Sequence, residues 1–238
     1  MEFKKLLSSK ILWMIVVGAV MPGIIASLTL LDQEHLKWDE FHHVALFIFN
    51  IQSILTFSAF ASYIWAREYE ENMMEELLCY PFPKYKLFLS KLFILLPVIA
   101  CTSLLFVFNS GVMARFLTEG GIPAELLVEY LLIIGLMILM HFMLMPFMLL
   151  VSIVSKQAVT GIVIGVVFML VCTIFYNTSF IQYIPFIIPM VLTDHLLGFD
   201  KLILSGYRAP TVILLSTFVA SLVGCLWLLK NSILFDKN

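Results

Sequence analysis

Three groups of side chains in this sequence have the types and spacing that chemistry needs. Residues 32–43 bring Asp32, Glu34, Asp39 and Glu40 beside His35, His42 and His43, the oxygen and imidazole ligands that divalent metals take. A solvated acidic loop is the plainer reading, because neighbours such as His42 and His43 point apart on a helix. The second group is the stretch from Arg67 to Lys91, REYEENMMEELLCYPFPKYKLFLSK, in which a run of glutamates precedes Pro81 and Pro83 and then Lys84, Lys86 and Lys91. The third is His141, set in LMHFMLMPFML with Pro146 five residues on. Met137, Met140, Met143, Met145 and Met148 crowd the same run. Thioethers ligate soft Cu(I) or offer greasy cargo an adaptable surface, and ordinary packing is their commoner use.

Composition decides what must position these groups. The 238 residues are 62% hydrophobic, 14% aromatic and 13% charged, with a mean hydropathy of +1.04. A soluble domain is about 45–50% apolar and about 25% charged, and one core cannot hide so large a surplus. A cytosolic enzyme, a nucleic-acid binder and a disordered chain are excluded. The net charge of −2 offers no footprint for a polyanion, so nucleic acid is not a partner. The chain is an integral membrane protein, and its apolar runs are continuous and not alternating, so it is all-α and no barrel.

A crossing helix needs about 20 mostly apolar residues. Six runs qualify: 11–31, 44–66, 92–113, 126–154, 158–176 and 211–229. A further stretch, 180–197, is broken by Pro185 and Pro189 and carries Asp194 and His195; it reads as interfacial or re-entrant. The first run is too long for a signal-peptide core and no small-x-small site follows it, so it is expected to be retained. With a cytoplasmic N-terminus, the inner segments hold Lys4, Lys5, Lys10, Arg67, Lys84, Lys86, Lys91, Lys156, Lys230 and Lys237, and the outer ones hold Lys37, Arg115, Lys201 and Arg208. That bias places both termini in the cytoplasm. Cys101, Cys172 and Cys225 fall inside spans and Cys79 in a cytoplasmic loop, which indicates no disulfide framework.

Ionisable groups at bilayer depth are costly and often functional. His141 reads either as part of a translocation path or subunit seam, or as an imidazole hydrogen-bonded to a neighbouring helix, the commoner case. Asn50 and Gln52 in the second span admit the same two readings. Gly161 and Gly165 form a G-x-x-x-G that permits close helix approach, expected within the subunit before any dimer. The 67–91 stretch combines an acidic amphipathic helix, a Pro-x-Pro elbow and a basic return to the membrane. It is a solvated interfacial loop or a docking helix for a cytoplasmic partner, since a helix of five glutamates is not drawn to anionic headgroups.

The order of this stretch resembles the ABC type-2 export permeases. There the link between the second and third helices reads approximately Arg-Glu, a Gly-Thr pair, Leu-Glu-x-Leu-Leu, x-x-Pro-x-x-Arg and a terminal Lys. Here Arg67 and Glu68 open the segment, Glu75, Leu77, Leu78 and Pro81 match its Glu, Leu, Leu and Pro, Lys84 takes the basic position and Lys91 the final lysine. Asn72–Met73 stands where Gly-Thr is expected. The resemblance implies a single permease domain over 1–238, paired with a second permease subunit, identical or related, and with a cytoplasmic ABC ATPase dimer that holds ATP and Mg. The chain itself would hold no cofactor and no metal. The segment 67–91 would be the coupling helix, with Arg67, Glu68, Glu71, Glu75, Glu76, Leu77, Leu78, Pro81, Lys84 and Lys91 transmitting to the ATPase. Residues 2–10 would form an N-terminal interfacial helix, and 180–197 a re-entrant segment on the outer side. Short six-helix members of this look resemble bacterial lantibiotic and bacitracin immunity permeases, so the expected location is a bacterial plasma membrane and the expected cargo an antimicrobial peptide or drug. Asn50, Gln52 and His141 are the path candidates.

No glycine is followed by lysine, so the phosphate-cradling G-x-x-x-x-G-K-[ST] loop is absent and the chain is not expected to be an enzyme by itself. One alternative is an intramembrane metalloprotease of the CAAX type, which pairs Glu-Glu-x-x-x-Arg with later histidines. The Glu70–Glu71 and Glu75–Glu76 pairs lack that arginine, and only His141 and His195 follow. Export of an ion, heme or a lipid-linked cargo by the same ABC architecture is another. A secondary transporter or channel would show inverted repeats or mid-membrane acids, which are missing.

Overall fold

The computed structural model describes residues 11–33, 35–70, 83–118, 124–176, 178, 180–198 and 206–231. Among them the fold is all-α. Its helices are α1 (Ile11–Thr29), α2 (Trp38–Glu70), α3 (Lys84–Leu117), α4 (Ala124–Ser155), α5 (Ala158–Phe175), α6 (Ile188–Leu196) and α7 (Arg208–Lys230), with two 3₁₀ turns, Ile181–Tyr183 and Pro185–Ile187, ahead of α6. Five of these, α2, α3, α4, α5 and α7, are long and apolar enough to cross a membrane. The first expected span, 11–31, is shorter than read: α1 has 19 residues and gives way to a turn at Leu30. The other helices mostly outrun their apolar stretches. α2 and α3 have 33 and 34 residues, about 50 Å at 1.5 Å per residue, against a hydrocarbon core of about 30 Å. Their polar ends therefore reach the headgroup layer. Residues 2–10, read as an interfacial helix, lie outside the described residues.

α2 is the central helix, packed against α1, α3, α4, α5 and α6. Small residues let it be so. Along α1, Gly18, Ala19, Pro22, Gly23 and Ala26 are buried, one face at helical spacing. A Cβ at Gly18 would meet Thr56 Cγ2 of α2 at 2.9 Å, and one at Gly23 would meet Asn109 Nδ2 of α3 at 2.5 Å. Asn109 Nδ2 donates to the Val20 carbonyl at 3.3 Å.

α5 lies antiparallel on α2 in a constant register: Gly161 faces Ser62, Gly165 faces Ser58, and Phe47 meets Tyr176 edge-on at 4.8 Å. The G-x-x-x-G of α5 thus docks on Ser58-x-x-x-Ser62 of its own chain, the within-subunit packing that the motif suggested. α4 runs parallel to α2, with Tyr130 beside His42 and His141 beside Ser53. α7 closes on α4, where Cys225 Sγ donates to the Pro146 carbonyl at 3.3 Å.

The 180–197 stretch is largely buried, with Phe180 and Tyr183 exposed at its start. Its two 3₁₀ turns and α6 bury Phe186, Ile187 and every residue from Ile188 to Asp194, and Phe186 stacks on Phe168 of α5 at 4.2 Å. Outward faces stay apolar: on α7, Val212, Leu215, Val219, Val223 and Trp227 are all exposed, as a lipid-facing stripe must be.

A methyl at Gly161 would overlap Ser62 Oγ, and overpacking of this kind costs about 1–3 kcal/mol. Gly161→Ala is expected to lower the melting temperature of the detergent-purified protein, and Ser62→Gly in the same chain to restore most of the loss, read by size-exclusion thermostability.

Candidate functional site

The two ends of the 67–91 stretch are tied to each other. Glu68, in the last turn of α2, and Lys91, two turns into α3, are both buried, and Lys91 Nζ lies 2.7 Å from Glu68 Oε1. Lys91 Nζ also donates to the Ile64 carbonyl at 2.7 Å and sits 5.2 Å from the centroid of the Trp65 ring. Trp65 and Phe88, fully buried, meet edge-on at 6.5 Å and wall the pair from lipid. A buried ammonium is tolerable only with a counter-ion and further acceptors, and Lys91 has both. Beside it, Lys156 from the α4–α5 turn lies 6.0 Å over the Tyr69 ring. Arg67, Lys84, Lys86, Lys91, Lys156 and Lys230 all lie at this end of the bundle, whereas Lys37, Arg115 and Arg208 lie at the other.

Of the residues expected to couple, Arg67, Glu68, Lys84 and Lys91 are described. Glu71, Glu75, Glu76, Leu77, Leu78 and Pro81 lie outside the described residues. Glu68 and Lys91 face each other inside the bundle, so they hold the segment's base and do not present their charges outward. Trp65 and the Ile64 carbonyl were not singled out from sequence. Their signal was the i−3 and i−4 spacing from Glu68 on one helical face.

The path candidates divide. His141 is buried between α2 and α4, its Nε2 2.7 Å from Ser53 Oγ and its Nδ1 2.9 Å from the Met137 carbonyl. A carbonyl only accepts, so Nδ1 carries the hydrogen. Ser53 Oγ also lies 2.7 Å from the Asn50 carbonyl, and Asn50 Nδ2 donates to the Leu46 carbonyl at 3.0 Å. Asn50, Ser53 and His141 are thus one interhelical network, with Phe57 edge-on to the imidazole at 5.2 Å. Gln52 is half-buried. Both ring nitrogens of His141 thus have partners within the chain. Ser53 was missed by the sequence reading; its position three residues after Asn50 was the available clue. Met137, Met140, Met145 and Met148 are buried in the core, as ordinary packing requires.

At the opposite end, His42 turns inward. It stacks on Trp38 at 4.0 Å, meets Tyr130 edge-on at 5.5 Å, and its Nδ1 lies 3.1 Å from the Trp38 carbonyl. Among the described residues no three His, Cys, Asp or Glu side chains come together as a metal set; Glu34 lies outside them.

Over residues 1–173 the chain matches the model of the ABC-2 family transporter protein. The chain belongs to the ABC-2 transporter family. No curated protein and no solved structure matches it. As an ABC-2 membrane component it is a multi-pass membrane protein without catalytic activity of its own, and such permeases pair with ABC ATPases. The matched region takes in α1 to α4, the 67–91 stretch and most of α5, so the Glu68–Lys91 pair lies inside it.

Lys91→Met leaves the Glu68 carboxylate buried without its cation, a change that costs about 3–5 kcal/mol. It is expected to lower the melting temperature strongly, and Glu68→Gln added to Lys91→Met to recover much of the loss, measured by thermal unfolding in detergent.

Proposed function

We propose that this chain is the transmembrane subunit of an ABC exporter, one single permease domain over 1–238 that couples through residues 67–91 to a separate cytoplasmic ATPase dimer. The observation that carries this reading is the buried Glu68–Lys91 pair. It joins the last turn of α2 to α3, two turns from the start of that helix. Force delivered to the segment between them would then move α2 and α3 as one body, and α2 touches five other helices. ATP and Mg belong to the ATPase. On this reading α1 is a sixth crossing, since 19 residues reach about 28 Å, and both termini face the cytoplasm of a bacterial plasma membrane with the cation-rich end of the bundle.

The path forms with a second permease subunit, identical or related. Within one chain Asn50 Nδ2 and both ring nitrogens of His141 have partners inside the bundle. The cargo is an amphipathic peptide or drug taken from the membrane, in keeping with short connections between helices and continuous apolar outer faces. Alternating exposure of the path follows the ATPase cycle.

Affinity purification of the tagged chain in mild detergent tests the reading. A stoichiometric ATPase is expected to co-purify, and reversal of charge at Glu75, Glu76 and Lys84 to release it while the permease keeps its elution position. A chain that purifies alone from cells encoding a neighbouring ATPase would sink the coupling role of 67–91.

A further inference from the structure

A groove of about 490 Å³ opens at the cation-rich end, lined by Lys84, Tyr85 and Leu89 of α3 and by Leu226, Leu229 and Lys230 of α7. We propose that it is a binding site for an anionic phospholipid of the membrane leaflet on that side. Among the described residues of the lining, Lys84 and Lys230 carry charge, none is an acid, and Leu89, Leu226 and Leu229 supply the apolar part. That pairing of a cationic rim with a hydrocarbon floor fits an acylated phosphate, because a free phosphate would gain nothing from the leucines. The volume is in the range of small-molecule sites and suits a phosphoglycerol headgroup with its first methylenes. Deeper along the same helices, Phe93, Leu96, Val219 and Val223 are exposed, a continuous apolar surface for the acyl chains.

The local fields agree. α3 opens at Lys84 after Pro83 with no capping side chain, so the positive end of a 34-residue helix faces the rim. Lys230 closes α7 and offsets that helix's negative end. Tyr85, about half exposed, is an amphipathic ring at the depth where such rings settle. Lys84 is also engaged within the chain, and an ammonium with three N–H donors holds a phosphate oxygen besides. The site does not rest on the ATPase reading, since binding is read on the permease alone.

Native mass spectrometry of the full chain, titrated with phosphatidylglycerol or phosphatidylcholine, tests the proposal. Phosphatidylglycerol is expected to bind preferentially. Lys84→Gln or Lys230→Gln should weaken it about fivefold each, and the pair about thirtyfold, while Lys86→Gln, which does not line the groove, should leave it unchanged. Equal binding of both lipids, an equal loss with Lys86→Gln, or full competition by glycerol phosphate would overturn it. A photoreactive residue in place of Leu226, illuminated in phosphatidylglycerol vesicles, gives a second readout. A lipid adduct supports the site, whereas capture of residues 71–82, residues 232–238 or a protein partner in place of lipid overturns it.

Discussion

Close approach to α2 is the constraint on which this bundle depends. Between lipid-bathed helices burial of apolar surface offers little drive, so association rests on dispersion and hydrogen bonds, both of which need short interhelical distances. Gly18 on α1 and Gly161 and Gly165 on α5 bring two backbones against α2 from different sides, at Thr56, Ser62 and Ser58. With those faces occupied by small residues, the larger side chains, Phe41, Phe49, Phe57, Phe60 and Trp65, fill the remaining sides of α2 and are buried. Phe49 stacks on Phe106 of α3 at 4.2 Å.

Polar groups then specify what packing leaves open. Inside a bilayer each unpaired polar atom costs several kcal/mol, so partners fix rotation and depth. Ser53 and His141 set α4 against α2, Asn109 sets α3 against α1, and the Glu68–Lys91 pair sets the ends of α2 and α3. A buried ion pair is weak evidence for added stability, because desolvation opposes its attraction. Its use here is geometric: a contact of 2.7 Å fixes the last turn of α2 against α3. On the coupling role proposed for residues 67–91, that contact would let α2 and α3 move together.

The distribution of charge separates two roles at one end of the molecule. Glu68 and Lys91 neutralise each other in the interior, whereas Lys84 and Lys230 sit at a groove rim with leucines beneath. Lysines seven residues apart on the same helix, Lys84 and Lys91, therefore have different surroundings: one lines the groove, the other meets a tryptophan ring and a carboxylate.

The sequence by itself determined the class, the family and five of the six expected crossing segments. Long uninterrupted apolar runs admit one backbone solution in lipid, and the Arg67-to-Lys91 order is local, so both are legible without a partner in space. The sequence also pointed to the cation bias and to Gly161–Gly165 as a packing face, since periodicity on one helix shows which residues share a side. What it left open were pairings between helices distant in the chain. That Lys91 meets Glu68 and Ile64, that His141 meets Ser53, and that His42 turns onto Trp38 and Tyr130 depend on rotation and register. The 180–197 stretch, read as interfacial or re-entrant, is buried through α6 because α4 and α2 lie against it. The groove between α3 and α7 joins residues more than 130 positions apart. Only the tertiary structure decides such contacts, because one-dimensional spacing ends where the helix does.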